Sequence, residues 1–205
     1  MLAVDESLGA LLIEEIEPGT PLVDSARYPT LESVAELMTS LHASGERSYP
    51  PLEQRVAYLF DAARRLYDVH PERADRVPPG LYERGRRLAL RLAADASPRV
   101  LLHGDLTPSN ILDGGAERGL VAIDPAACVG DAPFDAVDLV FWRSDGIETI
   151  ERRSNELAGA IGAAPERLLA WCIAFAGMAA LELASTPETP GTQLDALVEL
   201  AGRAL

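Results

Sequence analysis

The sequence predicts an α+β fold that is mostly α, and three observations predict it. Stretches of helical length with apolar residues at helical spacing occupy most of the chain. A polar, loop-rich island over residues 103–138 interrupts them. Inside that island two short apolar pieces, Ile111-Leu112 and residues 120–123, flank Asp113-Gly114-Gly115, which reads as a small β-hairpin with a Gly-rich turn.

Residues 9–16, GALLIEEI, are an apolar run of strand length, and Glu17-Pro18-Gly19 ends it with a turn signal. Residues 30–42 carry a Thr30 cap and place Leu31, Val34, Leu37, Met38 and Leu41 at helical spacing. Pro50-Pro51 interrupts, and a second helix follows over residues 52–69 with Val56, Leu59, Phe60, Ala63 and Leu66 on one face. His70-Pro71 ends it, because the residue before a proline is pushed out of the helical region. A third, Arg-rich helix is expected over residues 79–94, and a short strand over residues 99–102. Beyond the island, helical texture returns at residues 134–143, 147–161, 165–184 and 192–205.

A chain of 205 residues suits one domain, or one large unit with a fragmentary one, and is long enough to bury a sizeable core. The formal net charge of −14, from 18 basic and 32 acidic residues, argues against nucleic acid, whose phosphates select basic surfaces. It suits a cationic small molecule, or simply an acidic solvated surface. Every basic residue apart from histidine is Arg, so no lysine is available for any role. Cys128 and Cys172 stand far apart and form no CxxC pair, which makes a reducing, cytoplasmic setting the expectation. The N-terminus lacks the basic stretch of a signal peptide. The apolar run over residues 168–184 is short for a membrane span and reads as a buried helix.

The chemistry is concentrated in the island. Residues 103–110 read His-Gly-Asp-Leu-Thr-Pro-Ser-Asn, so Asp105 and Asn110 lie on one loop. Asp124 follows the hairpin, at the end of a strand, in Ile123-Asp124-Pro125. Phosphoryl transfer needs one carboxylate to orient the attacking hydroxyl and accept its proton, and oxygen ligands to hold Mg²⁺ against the phosphates of ATP. A hairpin that returns the chain beside the loop would bring Asp124 to the cleft of Asn110. Each residue also has a plainer reading. Asp and Asn beside Pro-Ser serve turns and caps, His42 and His70 stand at helix ends where they can cap, and Cys128 can be a packing residue. Trp142 and Trp171 read as core or groove-lining aromatics. Asp131, Asp138 and Glu182 could line a site for a cationic sugar, or be surface and capping charges.

The HGD-x-x-x-x-N run resembles the catalytic loop shared by aminoglycoside phosphotransferases and choline-kinase-like enzymes, the counterpart of the protein-kinase HRD-x-x-x-x-N with Gly in place of Arg. Residues 121–139, VAIDPAACVGDAPFDAVDL, resemble the metal-binding segment of the streptomycin 6-phosphotransferase and hydroxyurea resistance kinase branch of that family. The resemblance is strong over residues 103–142 and looser in the flanking helices. It implies a protein-kinase-like C-terminal lobe with a short β-hairpin and a remnant hinge strand. In that reading residues 1–22 are the last N-lobe strand and hinge, and residues 23–205 are the helical C-lobe. It implies Asp105 as catalytic base, Asn110 and Asp124 as Mg²⁺ ligands, His103 packed beneath the site, and Asp135 supporting the loop. It also implies that ALLIEEIEPGTPL is the hinge, with Ile13 behind the adenine of ATP and the backbone of Glu14 and Ile16 bonded to its edge. The sequence departs from the family pattern in having no Gly-rich phosphate loop and no strand lysine upstream, and Ala132 separates Asp131 from Pro133. The implied function is ATP-dependent phosphorylation of an aminoglycoside hydroxyl, streptomycin-like, as antibiotic resistance. The alternatives are an inactive kinase-like lobe acting as a binding or remnant protein, and a kinase for another hydroxylated metabolite. The implied truncation predicts an exposed strand, with Leu11, Leu12, Ile13 and Ile16 uncovered, and little transfer by this chain unless a matching N-lobe is joined to it.

Overall fold

The computed structural model describes residues 2–42, 48–95, 98–184 and 191–203. It opens with an antiparallel ribbon of β1 (Ala3–Asp5) and β2 (Ala10–Leu12), in the register Ala3 to Leu12. The expected strand over residues 9–16 is therefore only three residues long, and residues 13–16 leave it as irregular chain. The ribbon packs little: Leu2, Val4, Leu8, Leu12 and Ile13 are all more than half exposed. Ile16 is half-buried, and the side chain of Leu11 lies outside the described residues. A short strand β3 (Thr20–Pro21) follows and pairs with the later hairpin.

Three helices come next. α1 (Leu31–Leu41) starts where the Thr30 hydroxyl accepts from the Ser33 N–H at 3.1 Å, and it buries Val34, Leu37 and Met38. α2 (Leu52–Val69) and α3 (Pro79–Ala94) occupy the residues expected from their periodicity. Pro79 opens α3, where a missing N–H costs nothing. β4 (Val100–Leu102) leads into the loop of interest. The hairpin is β5 (Ile111–Asp113) and β6 (Leu120–Ala122), paired Ile111 to Ala122. Its connection is not a tight turn but one helical turn, α4 (Gly115–Arg118), closed by Gly119 at φ 64°. β7 (Cys128–Gly130), not anticipated from its sequence, pairs antiparallel with β4.

The segment read as a helix over residues 134–143 is a 3₁₀ turn, Ala132–Ala136, running into α5 (Val137–Phe141). α6 (Ile147–Ala160), α7 (Pro165–Leu183) and α8 (Gly191–Gly202) complete the lobe. α7 is buried on nearly every side, from Leu168 to Leu181, because α2, α3, α5, α6 and α8 all pack against it. No helix among the described residues is long and apolar enough to cross a membrane. Around α7 the rings of Phe60, Phe134, Trp171 and Phe175 meet edge-to-face or tilted at 5.2–6.0 Å. Burying one such ring stabilises the fold by about 1.5–3 kcal/mol. This core gives the loop after β4 a rigid floor.

Candidate active site

The loop 103–110 begins as the chain leaves β4 and is held from the turn before α5, from residues 123–126 and from α2. Asp135, in the 3₁₀ turn before α5, is 2 % exposed. Its carboxylate accepts from the His103 N–H at 2.8 Å and the Gly104 N–H at 2.9 Å. The His42 ring, at the end of α1, meets the same carboxylate through Nε2 at 3.0 Å. The buried His103 ring spans the gap beneath the loop. Its Nε2 donates to the Ile123 carbonyl at 2.9 Å, and its Nδ1 accepts from the Asp105 N–H at 3.3 Å. One ring thus ties the loop to the strand that leads to Asp124.

Gly104 is required by space as well as by conformation. Its φ is 78°, and a Cβ there would stand 2.1 Å from the Ala126 carbonyl oxygen. That close approach lets the loop lie flat on residues 123–127.

Asp105 is half-exposed, and both of its carboxylate oxygens have partners. Arg55 of α2 donates from Nη2 to Asp105 Oδ1 at 2.7 Å and from Nε to the Gly104 carbonyl at 2.8 Å. Asn110 Nδ2 donates to the Asp105 carbonyl at 2.9 Å and to Asp105 Oδ2 at 3.2 Å. Asn110 in turn receives at its own carbonyl the Ile123 N–H, at 2.9 Å. Asp124, the next residue, is exposed and holds a left-handed backbone at φ 53°. Asp105, Asn110, Ile123 and His103 therefore form one hydrogen-bonded unit, with Asp124 at its edge. Glu14 and Ile16 lie apart from it on the irregular chain after β2, where the Glu14 carboxylate pairs with Arg118 at 2.7 Å.

Asp105 borders a small pocket of about 150 Å³ whose walls include Leu59, Phe134, Met178, Asp138 and Glu182. Thr107, Asp138 and Glu182 also line a wider cleft of about 670 Å³ that extends to Trp142, Arg143, Asp145 and Gln193. Asp138 stands where the two meet. It is exposed at the cleft, while its carboxyl sits among the groups that line both cavities. That confinement, with Glu182, Asp105 and Asp135 nearby, pushes its carboxyl up to about 7 against the pull of Arg55. Partial desolvation likewise raises Glu182, although its side chain is exposed at the cleft. Asp131, for which the sequence allows a cleft, surface or capping charge, stands at the start of the 3₁₀ turn without a side-chain cap bond. It is buried and accepts from Arg167 Nε at 2.6 Å and Trp171 Nε1 at 2.7 Å, a strut between β7 and α7. Cys128 is buried and its thiol is pushed up to about 12, chiefly by burial, which suits packing and not nucleophilic chemistry.

Two contributors went unnoticed in the sequence. Arg55 lies beside the apolar face of α2, and His42 was read only as a helix cap. No motif marks either, since Arg55 reaches the loop, and His42 reaches Asp135, from distant parts of the chain.

A mostly helical α+β lobe, with small antiparallel sheets presenting an Asp–Asn loop beside an acidic cleft, is compatible with the catalytic lobe of a kinase. The family model of aminoglycoside/hydroxyurea antibiotic resistance kinases matches residues 1–186, and the chain belongs to that family. A streptomycin 3''-kinase of Klebsiella pneumoniae is 34 % identical over 184 residues. That match covers 84 % of this chain and 65 % of the length of the relative.

Proposed function

We propose that this chain, as the catalytic lobe working with a matching N-lobe, transfers the γ-phosphoryl group of ATP to a hydroxyl of a cationic, streptomycin-like aminoglycoside. The observation that carries the reading is the unit formed by Asp105, Asn110 and Ile123 beside the acidic cleft. Family membership and the streptomycin kinase relative support it.

Asp105 is the carboxylate that receives the acceptor hydroxyl. Hydrogen bonds at both of its oxygens hold it to one orientation before substrate arrives, and positioning supplies most of the catalysis in phosphoryl transfer. The hydroxyl proton passes to Asp105 as the oxygen bonds to phosphorus and the bond to the ADP oxygen breaks. Asn110 spends its Nδ2 on Asp105, which leaves its amide Oδ1 to act as a metal ligand, and Asp124 offers an exposed carboxylate. An amide oxygen and a carboxylate are the hard donors that Mg²⁺ prefers, so these two residues would hold it. When bound, Mg²⁺ neutralises charge on the nucleotide phosphates. Residues 1–22 serve as the hinge side, with Ile13 behind the adenine and the backbone of Glu14 and Ile16 along its edge. Asp138 and Glu182 face the protonated groups of the acceptor across the cleft.

The test is single-turnover transfer of labelled phosphate from ATP·Mg²⁺ to streptomycin, with the product followed by mass shift. Joined to a matching N-lobe the chain should yield phosphorylated streptomycin, alone it should yield little, and Asp105→Asn in the joined protein should yield none. Transfer by Asp105→Asn at the wild-type rate would falsify the assignment.

A further inference from the structure

We propose that Arg55 is a positioning residue for this transfer: its guanidinium sets the orientation of the Asp105 carboxylate and offsets the negative charge gathered around it. The inference rests on the reading of Asp105 as the group that receives the acceptor hydroxyl.

The geometry is that of a fork. Nε and Nη2 lie on one edge of the planar guanidinium. The first meets the Gly104 carbonyl at 2.8 Å and the second meets Asp105 Oδ1 at 2.7 Å. One rigid plane therefore joins the main chain before Asp105 to the Asp105 side chain, and fixes the side-chain torsion between them. A carboxylate 39 % exposed would otherwise sample several rotamers. Asn110 alone, at 3.2 Å on the other oxygen, is the weaker restraint. A lysine offers a single point charge and could not make both bonds from one plane.

Arg55 is itself well placed to act as a reference point. It stands in the first turn of α2, and the start of that helix is bolted to β7. Leu52 fills the space over Gly130, where a Cβ would stand 2.4 Å from the Leu52 Cβ, and the Val129 N–H donates to the Pro50 carbonyl at 2.9 Å. Since β7 pairs with β4, the strand that feeds the loop, Arg55 and Asp105 hang from the same two-stranded unit. The guanidinium also lies 5.6 Å from the centre of the Tyr58 ring, and its side chain is 16 % exposed.

Charge gives Arg55 a second role. Asp105, Asp135, Asp138 and Glu182 stand around the small pocket. A cation there limits their mutual repulsion without neutralising the cleft. It also opposes the approach of a cationic acceptor, so its benefit to transfer and its effect on acceptor binding have opposite signs. A strut that served folding alone would not separate the two.

That separation is the test. Arg55→Ala, Arg55→Lys and Asp105→Asn are compared with wild type, each joined to a matching N-lobe, in single-turnover transfer to streptomycin at saturating ATP·Mg²⁺ and acceptor. Calorimetric titration gives the streptomycin Kd, and circular dichroism confirms the folded state. Arg55→Ala should lower the transfer rate constant by roughly 10–100-fold, with a streptomycin Kd equal to or tighter than wild type. Arg55→Lys should recover part of the rate, because it keeps the charge and loses the fork. If Arg55→Ala does not fold, Arg55→Lys decides: a wild-type rate constant there overturns the role of the fork, and a clear loss with an unchanged Kd supports it. With Asp105→Asn inactive, a rate constant for folded Arg55→Ala within about twofold of wild type overturns the inference alone. Full transfer by Asp105→Asn overturns the reading beneath it.

Discussion

Replacing Asp135 with Ala removes the acceptor on which the loop over residues 103–110 is hung. Two backbone donors, the N–H groups of His103 and Gly104 at 2.8 and 2.9 Å, would then face a methyl group in a site only 2 % exposed. The His42 ring would lose its partner at 3.0 Å. Each buried donor left unpaired costs about 1–3 kcal/mol. Losing the carboxylate also removes the desolvation cost of a buried charge, which offsets part of the penalty. The net loss is about 3–5 kcal/mol, the range for breaking a buried charged network by deleting one member. In a domain of this size each kcal/mol moves Tm by about 2–4 °C, so the midpoint should fall by about 6–20 °C. Asp135→Asn keeps one acceptor oxygen and should fall between the two. Thermal unfolding followed by circular dichroism reads the shift. An Asp135→Ala midpoint within about 2 °C of wild type would show that the loop does not depend on this carboxylate.

Gly104→Ala should lower Tm and remove transfer activity, because its φ of 78° and the Ala126 carbonyl 2.1 Å from the new Cβ leave no relaxed conformation; unchanged Tm and rate would refute the close approach. Asp138 has an ordinary value of 3.8 and a folded value of about 7, so the folded chain holds an extra proton between them, and stability declines as pH rises through that window. Asp138→Asn should therefore have the higher Tm at about pH 8, with the difference closing toward about pH 4. The same titration should weaken streptomycin binding as wild type is acidified below about pH 7, and a Kd flat from about pH 8 to 6 would count against Asp138 as an acceptor contact. Asp131→Ala should lower Tm by orphaning Arg167 and Trp171 while leaving the folded chain's streptomycin Kd within about threefold; a large loss of affinity would return Asp131 to the cleft.

The helices were legible because their signals are local. α2 and α3 match their expected residues, since apolar spacing, Pro50-Pro51, His70-Pro71 and Pro79 mark them within a few residues of each end. The hairpin of β5 and β6 was visible for the same reason, though its Gly-rich connection gave no sign of the helical turn it contains. β7 was missed because Cys128-Val129-Gly130 is too short to show alternation, and only its pairing with β4 makes it a strand. The strand over residues 9–16 was overextended, because an apolar run says nothing of where its partner ends.

Residue identity along the chain sets the chemistry on offer: an Asp and an Asn on one loop, a further Asp beyond a hairpin, an acidic balance and no lysine. Those are properties of residue type and spacing along the chain. Which groups complete the site depends on packing between distant segments. Arg55 and His42 come from α2 and α1, 50 and 93 residues from the groups they hold, and Asp131 is a buried strut. Such roles depend on distances of about 3 Å between groups far apart in the chain, which packing around α7 creates and no local pattern encodes.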